Sequence, residues 1–232
     1  MEPGAFVVRA ADRWEDAAVP PYARPAIAAP PVLDHDGAPI PYGERWGWDG
    51  PPEEAYSVDA HPERFAPLHA VADALVAHLL STYDVFAESV DGATLLPGSA
   101  RVVLRAVRLR PACDDAAGLT IGWTVYPSVI VRAGADARAV APVCGCEACD
   151  ETWDRAADEL ERFVLAVADG RLQESLDDDR VGVAVEAPEG SSSGWTIEHD
   201  AARRAEIGAI LDARQGVRWR SWPLRGEERS GG

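Results

Sequence analysis

The chain has 232 residues, of which 47% are hydrophobic and 26% are charged, and this balance is typical of a globular protein rather than a disordered one. The formal net charge is −17, so the mean electrostatic field repels nucleic-acid phosphates and anionic lipid surfaces. We therefore expect no nucleic-acid partner and no membrane partner, while the composition leaves a protein or small-molecule partner open.

Two features of the chain favour a cytoplasmic location. The N-terminal residues show no basic stretch followed by an apolar run, and no run of roughly 18 apolar residues suited to a spanning helix occurs. Of the four cysteines, three are clustered and one is distant, which is a poor disulfide framework. We expect a compartment that keeps thiols reduced.

Residues 1–59 are predicted to form an N-terminal arm, because repeated prolines exclude helix interiors and central strands there. The arm carries large aromatic side chains: Trp14, Tyr22, Tyr42, Trp46, Trp48 and Tyr56. We expect these aromatics to pack on a single domain at residues 60–223, with a flexible tail at 224–232.

A helix is predicted over residues 62–81, because apolar residues recur there at helical spacing behind a first-turn proline. Four strands are predicted after it, at residues 86–90, 102–109, 119–126 and 129–132. The connections between these strands are short, which favours an antiparallel meander.

A second helix is predicted over residues 151–168, with Asp150 as its N-cap. Strands at 181–185 and 194–198, a helix from Asp200 to about Ala213 and an edge strand at 217–222 complete the pattern, with a polar loop at 191–193. The predicted fold is α+β: a mainly antiparallel sheet packed by two or three helices, with a long Pro-rich N-terminal arm.

The strongest local signal is a group of three cysteines, Cys144, Cys146 and Cys149, on a Gly-containing turn before the second helix. Thiolates on such a turn can converge on a borderline cation, and the tetrahedral preference of zinc then asks for a fourth ligand. Cys113 is the first candidate for that position. The alternatives for it are His35, His61, His69, His199 and Asp150.

Two other interpretations of the cysteine turn stay open. In the first, the thiols pack without metal, like ordinary small apolar side chains. Alternatively, Cys146 and Cys149 form a CxxC pair ahead of a helix, where the backbone dipole stabilises a thiolate and favours redox chemistry. The neighbouring Glu147, Asp150 and Glu151 oppose the redox interpretation, because like charge raises a thiol pKa.

Several segments together resemble a family of actinobacterial proteins that carry a domain of unknown function. They are PYGERWGW, HPERFAPLHAVADALVAHLLSTYDV, PSVIVRAG, CGCEACDE and RWRSWP, spread over roughly residues 40–223. The resemblance implies no activity. It implies that Cys144, Cys146, Cys149 and Asp150 match the family pattern, whereas Cys113 lies outside these segments.

Three classes of function therefore remain. The first is a non-enzymatic binding or accessory protein, in which a zinc ion or the bare cysteine turn fastens helix to sheet. The second is an enzyme with a pocket between the sheet, the aromatic arm and the arginine-bearing strand around Arg105, which would hold a small anionic ligand. The third is a thiol redox sensor. No nucleophile motif, nucleotide-binding loop or metalloprotease helix occurs that would name a reaction.

Overall fold

The computed structural model describes residues 19–92, 95, 101–187, 190–214 and 218–226. Its helices are α1 (Pro67–Thr82), α2 (Trp153–Ala168) and α3 (Ala201–Ala213). Its strands are β1 (Val85–Val90), β2 (Val103–Pro111), β3 (Leu119–Thr124), β4 (Val129–Ala133), β5 (Ala137–Ala141), β6 (Leu172–Asp177), β7 (Arg180–Ala187) and β8 (Gly190–Ile197). The predicted α+β class is confirmed.

The strands form two antiparallel sheets. One has five strands in the order β1-β2-β3-β4-β5, and the other has three in the order β6-β7-β8. Each strand pairs with its neighbour in the chain, so the predicted meander is present and extends one strand further, to β5. Strands β5 and β6 were not predicted from the sequence, because charged residues interrupt their short apolar stretches.

The core lies between the inner face of the five-stranded sheet and the helices α1 and α2. Leu68, Leu75 and Leu79 of α1 are fully buried there, together with Trp123 of β3. Leu172, the first residue of β6, belongs to the same core cluster, so both sheets contribute to one core. This burial follows from the helical spacing of the apolar residues in α1.

Within the described residues, one helical stretch, Pro62–Thr82, has the length and hydropathy that a membrane-spanning helix needs. Its leucines lie inside the protein core, as a central helix of a folded domain requires. The stretch is therefore accounted for by packing against the sheet.

Three local predictions are wrong. Thr152, rather than Asp150, caps α2, because its side chain accepts a hydrogen bond from the backbone N–H of Arg155. The serines at 191–193 lie within β8 instead of forming a loop, since β7 supplies ladder partners that outweigh their low strand preference. Within residues 218–226, the expected edge strand is reduced to isolated bridges, among them Arg220 beside Ala116.

The described part of the arm contacts the helices through polar groups. The Tyr22 hydroxyl donates to Glu161 of α2 at 3.1 Å, and Arg24 Nε donates to the same carboxylate at 2.8 Å. In contrast, Trp48 is fully exposed and Tyr56 is largely exposed, so these two aromatics do not cover the core. Trp14 and residues 227–232 lie outside the described residues.

Candidate metal centre

The cysteine-bearing turn connects β5 to α2. β5 ends at Ala141, and a short 3-10 helix at Glu147–Cys149 follows the first two cysteines of the turn. Asp150 then adopts a left-handed backbone conformation with a φ of 51°, which ends this helix and redirects the chain towards α2. Because the chain reverses within these few residues, the three thiols of the turn face one another.

The three sulfur atoms form a compact group. Cys144 Sγ lies 3.3 Å from Cys146 Sγ, Cys146 Sγ lies 3.5 Å from Cys149 Sγ, and all three atoms are within 4.8 Å of one another. Zinc holds each sulfur at ~2.3 Å, so two thiolates on one tetrahedral ion lie ~3.8 Å apart. The two shorter separations are within a few tenths of an ångström of that distance. Small side-chain rotations would therefore accommodate the ion.

The thiols differ in exposure and in acidity. Cys146 is buried, Cys144 is half-buried and Cys149 is exposed. Burial opposes ionisation of Cys146, but hydrogen bonds from Cys144 and from the backbones of Cys149 and Ser57 outweigh it and lower its pKa to about 7. Bonds from Cys144 and Cys146 raise the pKa of Cys149. Cys146 is therefore the first of the three to become a thiolate, the form that binds metals.

Two arginines from the chain before α1 hold the carbonyl groups of the turn. Arg64 is buried against the ring of Tyr42, and its Nη2 donates to the carbonyl of Gly145 at 2.7 Å. Arg45 donates to the Glu147 carbonyl, and its Nη1 donates to the Glu147 carboxylate at 2.6 Å. These charge-assisted bonds fix the turn to the chain before α1 and place two positive charges beside the thiols.

The backbone N–H groups of the turn are satisfied by partners outside it. The amide of Cys144 donates to the Glu151 carboxylate at 3.1 Å, and the amide of Glu147 donates to the carbonyl of Val58 at 2.7 Å. Burial raises the pKa of Glu151 even though hydrogen bonds from the Cys144 and Val143 amides favour its ionised form. The turn thus owes its shape to the segment just before α2 on one side and to the arm on the other.

Gly145 sits against the tip of Tyr126. A Cβ atom on Gly145 would lie 1.7 Å from Tyr126 Oη, so no side chain fits at this position without a shift of the tyrosine. The Tyr126 hydroxyl is buried and has no hydrogen-bond partner among the described residues. Burial, together with the charge of Asp59, raises its pKa to about 12. The glycine therefore lets a neutral phenol pack over the turn.

Cys113 is not brought to the other three cysteines. It follows the end of β2 at Pro111, whereas the cysteine turn follows the end of β5 at Ala141. Three antiparallel pairings separate β2 from β5, so these two strands run in opposite directions and their ends lie at opposite edges of the sheet. The Cys113 side chain packs against the main core instead. The predicted four-cysteine set is not assembled.

The other predicted donors were His35, His61, His69, His199 and Asp150. Among the described residues, none of them belongs to the group of ligand atoms formed by the three thiols. Asp150 is close in the chain, but its carboxylate accepts the backbone N–H of Arg45 at 3.0 Å and also binds the Arg45 side chain. His61 Nδ1 lies 3.0 Å from Glu63. Within the part of the chain that the structure describes, the three-thiol group therefore supplies three of the four ligands of a tetrahedral ion.

The residues that support the turn were not predicted from the sequence. Arg45, Arg64, Tyr126 and Glu151 come from four separate segments of the chain, and their proximity depends on tertiary structure. The only local signal was an arginine next to an aromatic residue, as in Arg45 before Trp46. This pair does stack, with the guanidinium 4.8 Å from the indole ring.

A cavity of about 850 Å³ lies between the arm and the helices, with Leu33, Tyr42 and Trp153 in its largely apolar wall. It differs from the predicted anion pocket, because no residue of β2 lines it. Arg64 borders the cavity, but its guanidinium already donates to the carbonyls of His61 and Gly145. This cavity is therefore not assigned to an anionic ligand.

The fold and the turn define an α+β protein in which an antiparallel meander carries a three-thiol turn fastened to an N-terminal arm. Residues 28–226 match a family of unknown function, DUF6226. Because the match spans most of the chain, the protein belongs to this family. No curated protein and no solved structure matches the chain.

Proposed function

We propose that this protein holds one zinc ion on Cys144, Cys146 and Cys149, and that the ion acts as a structural centre in a binding or accessory protein. The observation that carries the proposal is the convergence of three Sγ atoms within 4.8 Å on one short turn. Three thiolates so close together repel one another, and a divalent cation offsets that repulsion while three sulfur bonds form.

The surroundings of the turn support a structural role. Arg45 of the arm and Arg64, shortly before α1, bind the carbonyls of the turn, and Glu151, two residues before α2, binds the amide of Cys144. A metal ion at the thiols would therefore fix the turn to which these separate segments bind. Metal-binding free energy at such a site contributes directly to folding free energy. A reducing compartment such as the cytoplasm, which we also propose, keeps the thiols available.

The open fourth position supports a second candidate function. Structural zinc sites usually have four protein ligands, whereas catalytic sites keep one position for water or substrate. Because the described residues supply three ligands, the ion would keep a solvent molecule and would act on it as a Lewis acid. An enzyme of this kind is the alternative to the accessory role. Without a metal ion, the same three thiols would suit a redox sensor.

The proposal is tested by elemental analysis of protein purified without chelator and without an affinity metal. We expect about one zinc per chain in the wild type. Cys146→Ser should release the ion and lower the free energy of unfolding by several kcal/mol, because the buried central ligand is lost. Cys113→Ser is the matched control: it also removes one thiol, but at the opposite edge of the sheet, and should leave the zinc content unchanged.

Three results would contradict the proposal. Metal-free wild-type protein whose stability does not change on Cys146→Ser would exclude a structural ion. Equal loss of zinc in Cys113→Ser and Cys146→Ser would show that zinc binding does not depend on the cysteine turn alone. A Cys146–Cys149 disulfide in freshly purified, metal-free protein would favour the redox sensor instead.

A further inference from the structure

The outer face of the five-stranded sheet, opposite α1 and α2, carries a row of arginines. Arg108 of β2 is paired in register with Thr120 of β3, and Thr120 is paired with Arg132 of β4. Paired residues in antiparallel strands point to the same side of the sheet, so these three side chains are neighbours on one face. Arg110 lies on that face as well, since it follows Arg108 by two residues.

These side chains line a cavity of about 400 Å³ between the sheet and α3. Its charged lining consists of Arg108, Arg110, Arg132, Arg203 and one carboxylate, Glu206. The cavity shares no residue with the cysteine turn or with the arm. Its volume lies within the range of small-molecule sites, ~300–1,000 Å³.

The acidic partners behind the cavity are shared among several arginines. Glu88 accepts hydrogen bonds from both Arg108 and Arg110, at 3.2 and 2.8 Å. Each of these arginines therefore receives only part of one negative charge. The two guanidinium groups are about half exposed, so they can reach a ligand from the solvent side.

The lining arginines nearest the β4–β5 turn share carboxylates as well, and Arg203 also pairs with Glu206 at 2.5 Å. The buried carboxylate of Asp136 accepts from Arg132 and Arg138, both at 2.8 Å, and from Arg203 at 3.0 Å. Burial lowers the pKa of Arg132, and the charges of Arg138 and Arg203 lower it further. A like-charged cluster of this kind is stabilised when an anion enters.

Glu174 lies beside the β4–β5 turn and binds the backbone of that turn. Its carboxylate accepts three backbone N–H groups, those of Ala135, Asp136 and Ala137, at 2.7–2.9 Å. It also accepts the indole N–H of Trp219 at 2.7 Å. Its charge is thus directed to the β4–β5 turn.

We propose that this arginine cavity binds a small molecule that carries a phosphate group. Guanidinium groups match the geometry of phosphate oxygens with paired N–H donors, and the hydroxyl of Thr120 adds a further donor at the centre of the row. The four lining arginines outnumber the three carboxylates that pair with them, Glu88, Asp136 and Glu206, so an entering anion offsets the remaining positive charge. The proposal does not rest on the metal centre, which lies on another part of the sheet.

The test is a calorimetric titration of the full chain at low ionic strength with three probes: inorganic phosphate, glycerol 3-phosphate and succinate. We expect both phosphates to bind with a Kd of about 1 mM or tighter. Tighter binding of glycerol 3-phosphate than of inorganic phosphate would assign the cavity to phosphate esters, and the reverse order to free phosphate. Stronger binding of succinate than of either phosphate would overturn the proposal.

The variant Arg108→Gln/Arg110→Gln should weaken phosphate binding at least about tenfold, because charge-assisted bonds are lost. Arg105→Gln is the matched control: Arg105 lies on the same strand but points to the other face, where it stacks over Trp123 and pairs with Asp73. Its effect on the Kd should stay within about twofold, after each variant's thermal midpoint confirms folding. No heat of phosphate binding in the wild type, or equal weakening by both variants, would contradict the assignment.

Discussion

Tyr126 and Gly145 show how one missing side chain determines the shape of the cysteine turn. The phenol ring reaches the turn because position 145 has no Cβ, and its hydroxyl lies in a buried position. The carbonyl of Gly145 is held from the other side by Arg64. The peptide between the first two cysteines is thus confined by two side chains that are distant in sequence.

We therefore predict that Gly145→Ala destabilises the protein. The new methyl group would overlap with Tyr126 Oη, and relieving such overpacking typically costs about 1–3 kcal/mol. Unfolding by denaturant measures the change, and zinc content should fall with it if the turn shifts. Gly47→Ala is the matched control, because a Cβ at Gly47 meets no atom within 4 Å. Equal stability of the two variants would show that the tyrosine moves away at no cost.

The β4–β5 hairpin depends on carboxylates that approach it from other elements. Glu174 of β6 binds the amides of its turn, and a Cβ on Gly134 would lie 2.1 Å from Glu174 Oε2. Gly134 also has a φ of +55°, a conformation that glycine adopts without strain. Arg203 of α3 then binds Asp136 in the same turn. The two sheets and α3 are connected at this hairpin.

We predict that Asp136→Asn lowers the free energy of unfolding by about 3 kcal/mol at neutral pH, because three arginines lose a buried carboxylate. Burial opposes ionisation of Asp136, but bonds from Arg138 and Arg203 outweigh it, so its pKa lies below the ordinary 3.8. A depressed pKa stabilises the folded state above the unfolded-state value, and this contribution is lost as the pH falls through the folded-state pKa.

The stability difference between wild type and Asp136→Asn should therefore be constant above about pH 5 and should shrink below about pH 4. Denaturant unfolding across this pH range measures it. Asp177→Asn is the control, because Asp177 is an exposed carboxylate at the end of β6. A difference that grows on acidification would contradict the sign derived from the arginine partners.

The arm influences the whole molecule through a few contacts with α2 and the core. Arg24 pairs with Glu161 at 2.7 Å, and Tyr22 and Ile27 pack against the main core cluster. Deletion of residues 1–41 removes all three, while Tyr42, Arg45 and Arg64 remain to hold the cysteine turn. A truncation that ends before Tyr42 therefore removes the packing contacts of the arm but keeps the residues that support the proposed metal site.

We predict that this deletion lowers the free energy of unfolding by about 2 kcal/mol, in line with the partial burial of two large side chains. The deleted protein should keep its zinc. Trp48→Ala, at a fully exposed aromatic of the same arm, should change stability by less than about 0.5 kcal/mol. Unfolding of the truncated and full chains at the same midpoint would show that the arm does not stabilise the domain.

Much of the secondary structure was predictable because its signals are local. The helical spacing in α1 and α2 and the alternation in β3 follow from side-chain burial on one face, and the structure confirms these elements. The N-cap of α2 and the extent of β8 were predicted wrongly. Those details depend on hydrogen-bond partners, such as the ladder from β7 to β8, that the local sequence does not specify.

The proximity of Cys144, Cys146 and Cys149 was predictable, because the three residues lie within six positions of one another in the chain. The position of Cys113 away from them was not predictable from the chain alone. It depends on strand direction. Three antiparallel pairings lead from β2 to β5, so the two strands run in opposite directions and their C-terminal ends lie at opposite edges of the sheet. Strand register likewise decided that Arg108 and Arg132 share a face, because pairing, rather than sequence distance, makes side chains neighbours.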